Sequence, residues 1–483
     1  MKISIENLGP LRHAEFELKP LTVFIGDNRQ GKTQAIVTAA TMLSSYGMQE
    51  YISHYLESNE PIPEIEKLYK DILNTSHAEI NLAEFSSKYL LPYYANLGKL
   101  TPKCLSDILG YPVPVEKTAV TYTPSETERT EALSIIQRFE YRNFSSTAII
   151  KYIKERDSPI LHLYVDANQE ITLPKPVIIN ILLEAVLILT TSNNILSLDP
   201  YLFPSERAGF SLLLREIQKL NILQPTTLQS EKNCQNLVLP YALTQYMTLV
   251  HQTLRTGSSK KRLKDAKKYP KIAKIQELSV LFTALTQDII SLSSPEPIFP
   301  RKIQIQVHDT VLDVQAASSG VKGLIGLSLY LQYLAKPGDF IVIDEPEQNL
   351  HPNQQAAFVE FLTLLVNNDI RVAITTHSPY IIEHLQNLIL AYDLKGKKEI
   401  IGSLYFKRED SFIDKEKVGV YLFQNGTAEN ILKEDGEINW QTFCDTADTI
   451  VSINSLIYDQ QEKQKCRRKT PEMSDPADEP KER

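Results

Sequence analysis

Residues 21–42 read LTVFIGDNRQGKTQAIVTAATM, and no other stretch constrains the fold as strongly. Leu21 to Ile25 is an unbroken apolar run of strand length, and the residues after Lys32 are strong helix formers. Between them lies G-x-x-x-x-G-K-T, filled by Gly26, Gly31, Lys32 and Thr33. A loop bounded by two glycines, between a buried strand and a helix, lets successive backbone N–H groups converge on a phosphate at the helix's positive end. Lys32 is placed to reach the β- and γ-phosphates of a nucleotide, and the Thr33 hydroxyl to hold Mg²⁺. Asn28, Gln30 and Gln34 are expected to line the same site. The interior residues Asp27 to Gln30 are bulky but contribute only backbone N–H groups, so they are tolerable.

A second block repeats the strand-to-site logic. Phe340 to Glu345 reads FIVIDE, four apolar strand residues ending in two acids. Asp344 at the strand tip is the expected metal ligand beside Thr33, and Glu345 the expected general base. TTHSP follows on the next buried strand, with His377 beyond the run Arg371 to Ile374, where an α/β sheet binds its ligands. SSGVKG, Ser318 to Gly323, opens a helix with hydroxyls and small residues. Ser318, Ser319 and Gly320 form an anion site apart from the first loop, suited to a nucleotide held by a neighbouring subunit. Alternating buried strands and helices over residues 301–395 predict a mainly parallel sheet covered on both faces.

The rest of the 483 residues divides around these blocks. Residues 1–45 give three short β runs, the phosphate loop and its helix. Residues 46–300 read as a large, mostly helical insertion, part of which returns to the head near 195–210. Residues 396–460 read as a β/α extension: IIGSLYFKRED as a strand, then KVGVYLFQNGTAENIL as a hairpin turning at Asn425-Gly426. Residues 461–483, charged and Pro-containing, are expected to be a disordered tail. The overall charge is −8, so any nucleic-acid contact must come from a local patch. The stretch Lys260 to Lys274 is either a solvated face or such a surface. Cys104, Cys234, Cys444 and Cys466 form no C-x-x-C pair, which argues against a zinc site and fits a reducing cytosol. The most apolar run, Val177 to Leu189, is shorter than the ~20 residues of a membrane span and reads as a core helix. A cytoplasmic protein without membrane contact is expected.

DEPEQNLHP, Asp344 to Pro352, and TTHSPYII, Thr375 to Ile382, resemble the ABC-type ATPases related to SMC proteins, over roughly residues 1–45 and 300–395. The resemblance implies an ABC-type P-loop ATPase head with an antiparallel N-terminal β part, ATP and Mg²⁺ as cofactors, and two nucleotides sandwiched between paired heads. It makes Ser318 to Gly320 the signature turn acting in trans, Asn349 to Pro352 the D-loop region and His377 the switch histidine. Members of this branch include the overcoming-lysogenization-defect nucleases and the ATPase subunits of the Septu and PARIS antiphage systems. The nucleases carry a C-terminal Toprim domain; here the nearest acidic pair, Asp445 and Asp448, is spaced D-x-x-D, so no nuclease is expected in cis. LFPSERAGF, Leu202 to Phe210, is similar to a P-[AS]-E-R segment of the defence ATPases. Its Glu206 and Arg207 either form a buried ion pair or reach the nucleotide site. Arg29 either faces a partner head or is simply solvent-exposed. The implied role is a homodimeric or larger ATPase serving a separate nuclease or toxin effector. Its rivals are an SMC-like ATPase that clamps DNA and a scaffold that binds ATP with little turnover.

Overall fold

The computed structural model describes residues 1–58, 61–114, 117–126, 139–144, 149–155, 158–165, 174–191, 199–211, 239–256, 265, 267, 269–286, 288–294, 301–394, 396–439, 452–458 and 460–461. Two compact units result, 1–438 and 439–483. The second contributes a few exposed helical residues between 452 and 461, and the expected tail lies almost wholly outside the described residues. So do Lys260, Lys261, Arg262, Lys264 and Lys268 of the basic stretch, from which Lys271 pairs with Asp369 at 2.7 Å.

In chain order the strands are β1 (Lys2–Leu8), β2 (Leu11–Glu17), β3 (Leu21–Ile25), β4 (His77–Asn81), β5 (Ala119–Thr123), β6 (Phe139–Phe144), β7 (Ile149–Lys154) and β8 (Ile160–Val165). They continue as β9 (Tyr201–Phe203), β10 (Ile289–Leu292), β11 (Ile303–Val307), β12 (Thr310–Asp313), β13 (Phe340–Asp344), β14 (Arg371–Thr376), β15 (Val418–Gln424) and β16 (Thr427–Asn430). Nine of them make one sheet in the order β5-β1-β2-β16-β15-β3-β14-β13-β9. From β15 to β9 the neighbours run parallel, whereas β1 pairs antiparallel with both β2 and β5. The fold is thus the expected α/β head, a parallel sheet joined to an antiparallel N-terminal part. β3 is buried at every residue and β13 and β14 at all but their first, which requires cover on both faces.

Helix α1 (Lys32–Met42) follows the phosphate loop. The longest helix among the described residues, α2 (Leu82–Leu109), starts where the Asn81 side chain accepts from the Ala83 and Glu84 amides, satisfying two of the N–H groups a helix start leaves free. One apolar cluster runs from β1 and α1 through α2 and the helix Lys175–Thr191 to Ala78, Ile80, Leu161 and Leu163. Head and insertion therefore share a core. Among the described residues no helix is long and apolar enough to cross a membrane.

Two local readings need revision. The insertion carries, beside its helices, an antiparallel sheet in the order β4-β8-β7-β6. IIGSLYFKRED, expected as a strand, instead forms the helix Lys398–Ser403 and a 3₁₀ turn at Glu409–Ser411. The reason is the fully buried Glu360, whose carboxylate accepts the Tyr405 and Phe406 amides at 2.9 and 3.0 Å, taking the donors a ladder would need. The hairpin turning at Asn425-Gly426 does form, and β15 is an inner strand flanked by β3 and β16.

Candidate nucleotide site

The site is assembled at the C-terminal ends of β3, β13 and β14, where parallel strands present their loops. Gly26 leaves β3 with φ 143°, a conformation side chains rarely adopt. A Cβ there would meet the Phe423 carbonyl oxygen of β15 at 2.2 Å, so only glycine lets the chain turn out of the sheet. Arg29 also has positive φ, 66°, and its side chain is exposed. Gly31 caps α1, and no side chain caps that helix start, leaving its positive end to an anion.

Lys32 is buried, its Nζ donating to the Gly26 and Asp27 carbonyls at 2.8 Å each. Burial holds its ammonium below the ordinary lysine range, opposed by Glu345, Asp344, Glu347 and Asp27. The Thr33 hydroxyl donates to Asp344 Oδ1 at 2.7 Å, joining the loop to the tip of β13. Thr375 donates to the same Oδ1 from β14. Glu345 sits one residue past the strand with φ 46°, its amide bonded to both the carbonyl and the hydroxyl of Thr375 at 3.1 Å. Gln348 Nε2 engages Glu345 Oε2 at 2.6 Å. Pro10, Asn28, Arg29, Gln30, Gly31, Lys32, Thr33, Gln34 and Glu345 line a cavity of about 430 Å³. A buried ammonium, a helix start and a hydroxyl beside a carboxylate are the donor set a phosphate chain with a hard divalent cation demands.

His377 follows β14 directly, because that strand extends to Thr376, two residues past the expected end. Its Nδ1 lies 3.6 Å from Glu347 Oε1 and 3.9 Å from Glu345 Oε1, buried without a hydrogen-bond partner. Glu347 was not singled out in sequence, yet it is buried and organises this corner. Its Oε1 accepts the Thr376 hydroxyl at 2.8 Å and the His377 amide at 2.9 Å, while Oε2 has no partner. The available signal was a second acid two residues after Glu345, beside a strand ending in two threonines.

Arg207 is neither in an ion pair with the exposed Glu206 nor in the nucleotide cavity. Buried, it donates to the carbonyls of Pro204 (3.0 Å), Gly323 (2.9 Å), Asp344 (2.6 Å) and Glu345 (2.9 Å). One guanidinium thus ties the acidic strand tip to helix α3 (Ser319–Leu329). Burial lowers its pKa, with Tyr246, Asp344, Glu347 and Glu345 pulling the other way.

Ser318 caps α3 by accepting the Val321 amide, and Ser319 is exposed beside it. A Cβ on Gly320 would meet the Asn349 carbonyl oxygen at 2.8 Å, so the turn packs tightly on the loop after Glu345. Ser318, Gly320, Asn349 and Gln354 border a separate cavity of about 200 Å³, which shares no lining residue with the first.

Among curated proteins none matches the chain. Many solved structures match the chain, among them two that align along most of its length. One, an SmcHead bound to the C-winged helix domain of ScpA, is 12% identical over 89% of this chain and 96% of its own, with a TM-score of 0.34. The other is an Smc head domain with an extended coiled coil bound to the C-terminal domain of ScpA, derived from Pyrococcus furiosus. It is 11% identical over 89% and 95%, with a TM-score of 0.35. Residues 191–382, which carry Arg207, the Ser318 turn, the acidic strand tip and His377 but not the phosphate loop, match the family model of an AAA ATPase domain.

Proposed function

We propose that this chain binds and hydrolyses ATP between paired heads. The observation that carries the reading is the 2.7 Å bond from Thr33 to Asp344, which brings two sequence motifs into one cavity wall with Glu345. Lys32 exchanges the Gly26 and Asp27 carbonyls for the nucleotide's phosphates. Thr33 and Asp344 would hold a magnesium ion, which would supply charge to offset the phosphates. With Gln348 on Oε2, Glu345 accepts the attacking water's proton at Oε1, and the His377 ring beside it senses the terminal phosphate. Pairing is supported by the two separate cavities: the Ser318–Gly320 turn lines none of the phosphate cavity and needs a second head to complete a site.

The motifs DEPEQNLHP and TTHSPYII further support a role as the ATPase subunit of an antiphage system, working with a separate nuclease or toxin. Nucleotide titration tests the site: Lys32→Ala is expected to abolish binding, and unchanged affinity overturns the assignment. Glu345→Gln is expected to bind ATP, stop turnover and accumulate paired heads in light scattering. Phage plating on cells carrying the gene with its adjacent reading frames tests the defence role, wild type against Lys32→Ala. Equal plating sinks it.

A further inference from the structure

Away from the nucleotide site, the β4–β8 pair presents an alternating pattern. Ala78, Ile80, Leu161, Leu163 and Val165 face the core, while His77, Glu79 and His162 lie on the opposite, outward face. The antiparallel register sets Glu79 opposite His162 and His77 opposite Tyr164, so His77 is the diagonal neighbour of His162. Opposite and diagonal positions on one face are within reach of side chains this long. The result is a compact triad. His77 Nε2 lies 3.4 Å from His162 Nδ1, which lies 3.7 Å from Glu79 Oε2, and all three ligand atoms fall within 4.8 Å of one another.

A hydrogen bond joins only two of these three groups at a time. His162 Nδ1 carries either one proton or one lone pair. If it donates to Glu79, it offers His77 Nε2 no acceptor. If it accepts from His77, its one lone pair is used there and Glu79, 3.7 Å away, is left to solvent. A cation between the three atoms satisfies every lone pair at once. Two of the spacings, 3.4 and 3.7 Å, lie near the about 3.3 Å that separates ligands 2.0–2.1 Å from a tetrahedral zinc. The Tyr164 ring stacks on His77, centroids 4.6 Å apart, and fixes the imidazole's plane.

We propose that His77, Glu79 and His162 bind a divalent cation of the zinc type. Two imidazoles and one carboxylate favour zinc, cobalt or nickel over magnesium or calcium. Three protein ligands on an outward face leave the fourth position to water or to a partner's donor group. The site shares no residue with the phosphate loop.

The test uses the full-length chain stripped by a chelator, titrated with zinc by calorimetry and with Co²⁺ by visible absorption. The expected result is one zinc per chain and the intense band of four-coordinate cobalt, which a hydroxyl–carboxylate site such as Thr33–Asp344 does not give. His162→Ala and His77→Gln should each weaken zinc binding by more than about tenfold, the floor seen for losing even an outer-shell partner. Both should leave the circular dichroism melt unchanged. Glu79→Gln, which keeps side-chain size, should weaken binding likewise and decides the matter if a histidine variant misfolds. No zinc uptake by the wild type, or uptake unaffected by these substitutions, overturns the proposal.

Discussion

The candidate nucleotide cleft and the outward face of β4–β8 both gather charge and imidazole, but they are built in opposite ways. In the cleft the backbone does the positioning: Gly26, Arg29, Gly31 and Glu345 all have positive φ, and Lys32, Asp344 and Glu347 are buried. On the β4–β8 face the backbone is ordinary extended strand, and register alone brings three half-exposed or exposed side chains together. A cleft made of strained loops and buried charge is expensive to disturb. A cluster on a regular strand face is nearly free to alter. The contrast predicts where mutations cost stability and where they cost only binding.

Gly26→Ala is the severest test. Its φ and the Phe423 carbonyl in its way place it above about 4 kcal/mol, the range that marks strain or overpacking. A denaturation midpoint corresponding to less than about 1 kcal/mol of loss would break the claim that backbone geometry builds the cleft. Arg207→Ala comes next. It removes a donor from the Asp344, Glu345, Gly323 and Pro204 carbonyls, of which Glu345 and Pro204 keep the Gln348 and Arg207 backbone amides, and is expected to cost on the order of 2 kcal/mol, with turnover falling further than nucleotide affinity. Wild-type melting in Arg207→Ala would remove it as a clamp. Thr375→Val removes a hydroxyl from both Asp344 and the Glu345 amide, an expected loss of about 1 kcal/mol that steady-state kinetics should register in kcat. At the other extreme, His162→Ala should shift stability by less than about 0.5 kcal/mol, as for ordinary surface substitutions. A larger loss would mean that the triad supports the insertion's sheet and would erase the contrast.

The same contrast explains what the sequence made legible. Glycine spacing, an apolar run ending in two acids and Thr-Thr-His are contiguous, so the phosphate loop, Asp344, Glu345 and His377 could be read directly. Arg207 could be found as a motif but not understood, because three of its four acceptors come from two other segments. Glu347 escaped notice because its burial depends on β14 lying alongside. The His77–Glu79–His162 cluster left no sequence trace: its members sit in two strands whose pairing only the folded chain sets. β15 was readable as a hairpin strand from Asn425-Gly426, but a turn signal is local and carries no information about β3 as a neighbour.

That neighbour relation also governs how the molecule comes into being. β3, which carries the phosphate loop, has β14 on one side and β15 on the other. The strand that carries the loop is therefore made long before its partners at residues 371–376 and 418–424. Such long-range closures are slow steps of folding, and an unpaired strand meanwhile offers an edge to other chains. A chain released short of residue 418 keeps every residue of the phosphate loop but lacks the strand that would close β3's second edge, and it is a candidate for aggregation rather than a smaller ATPase.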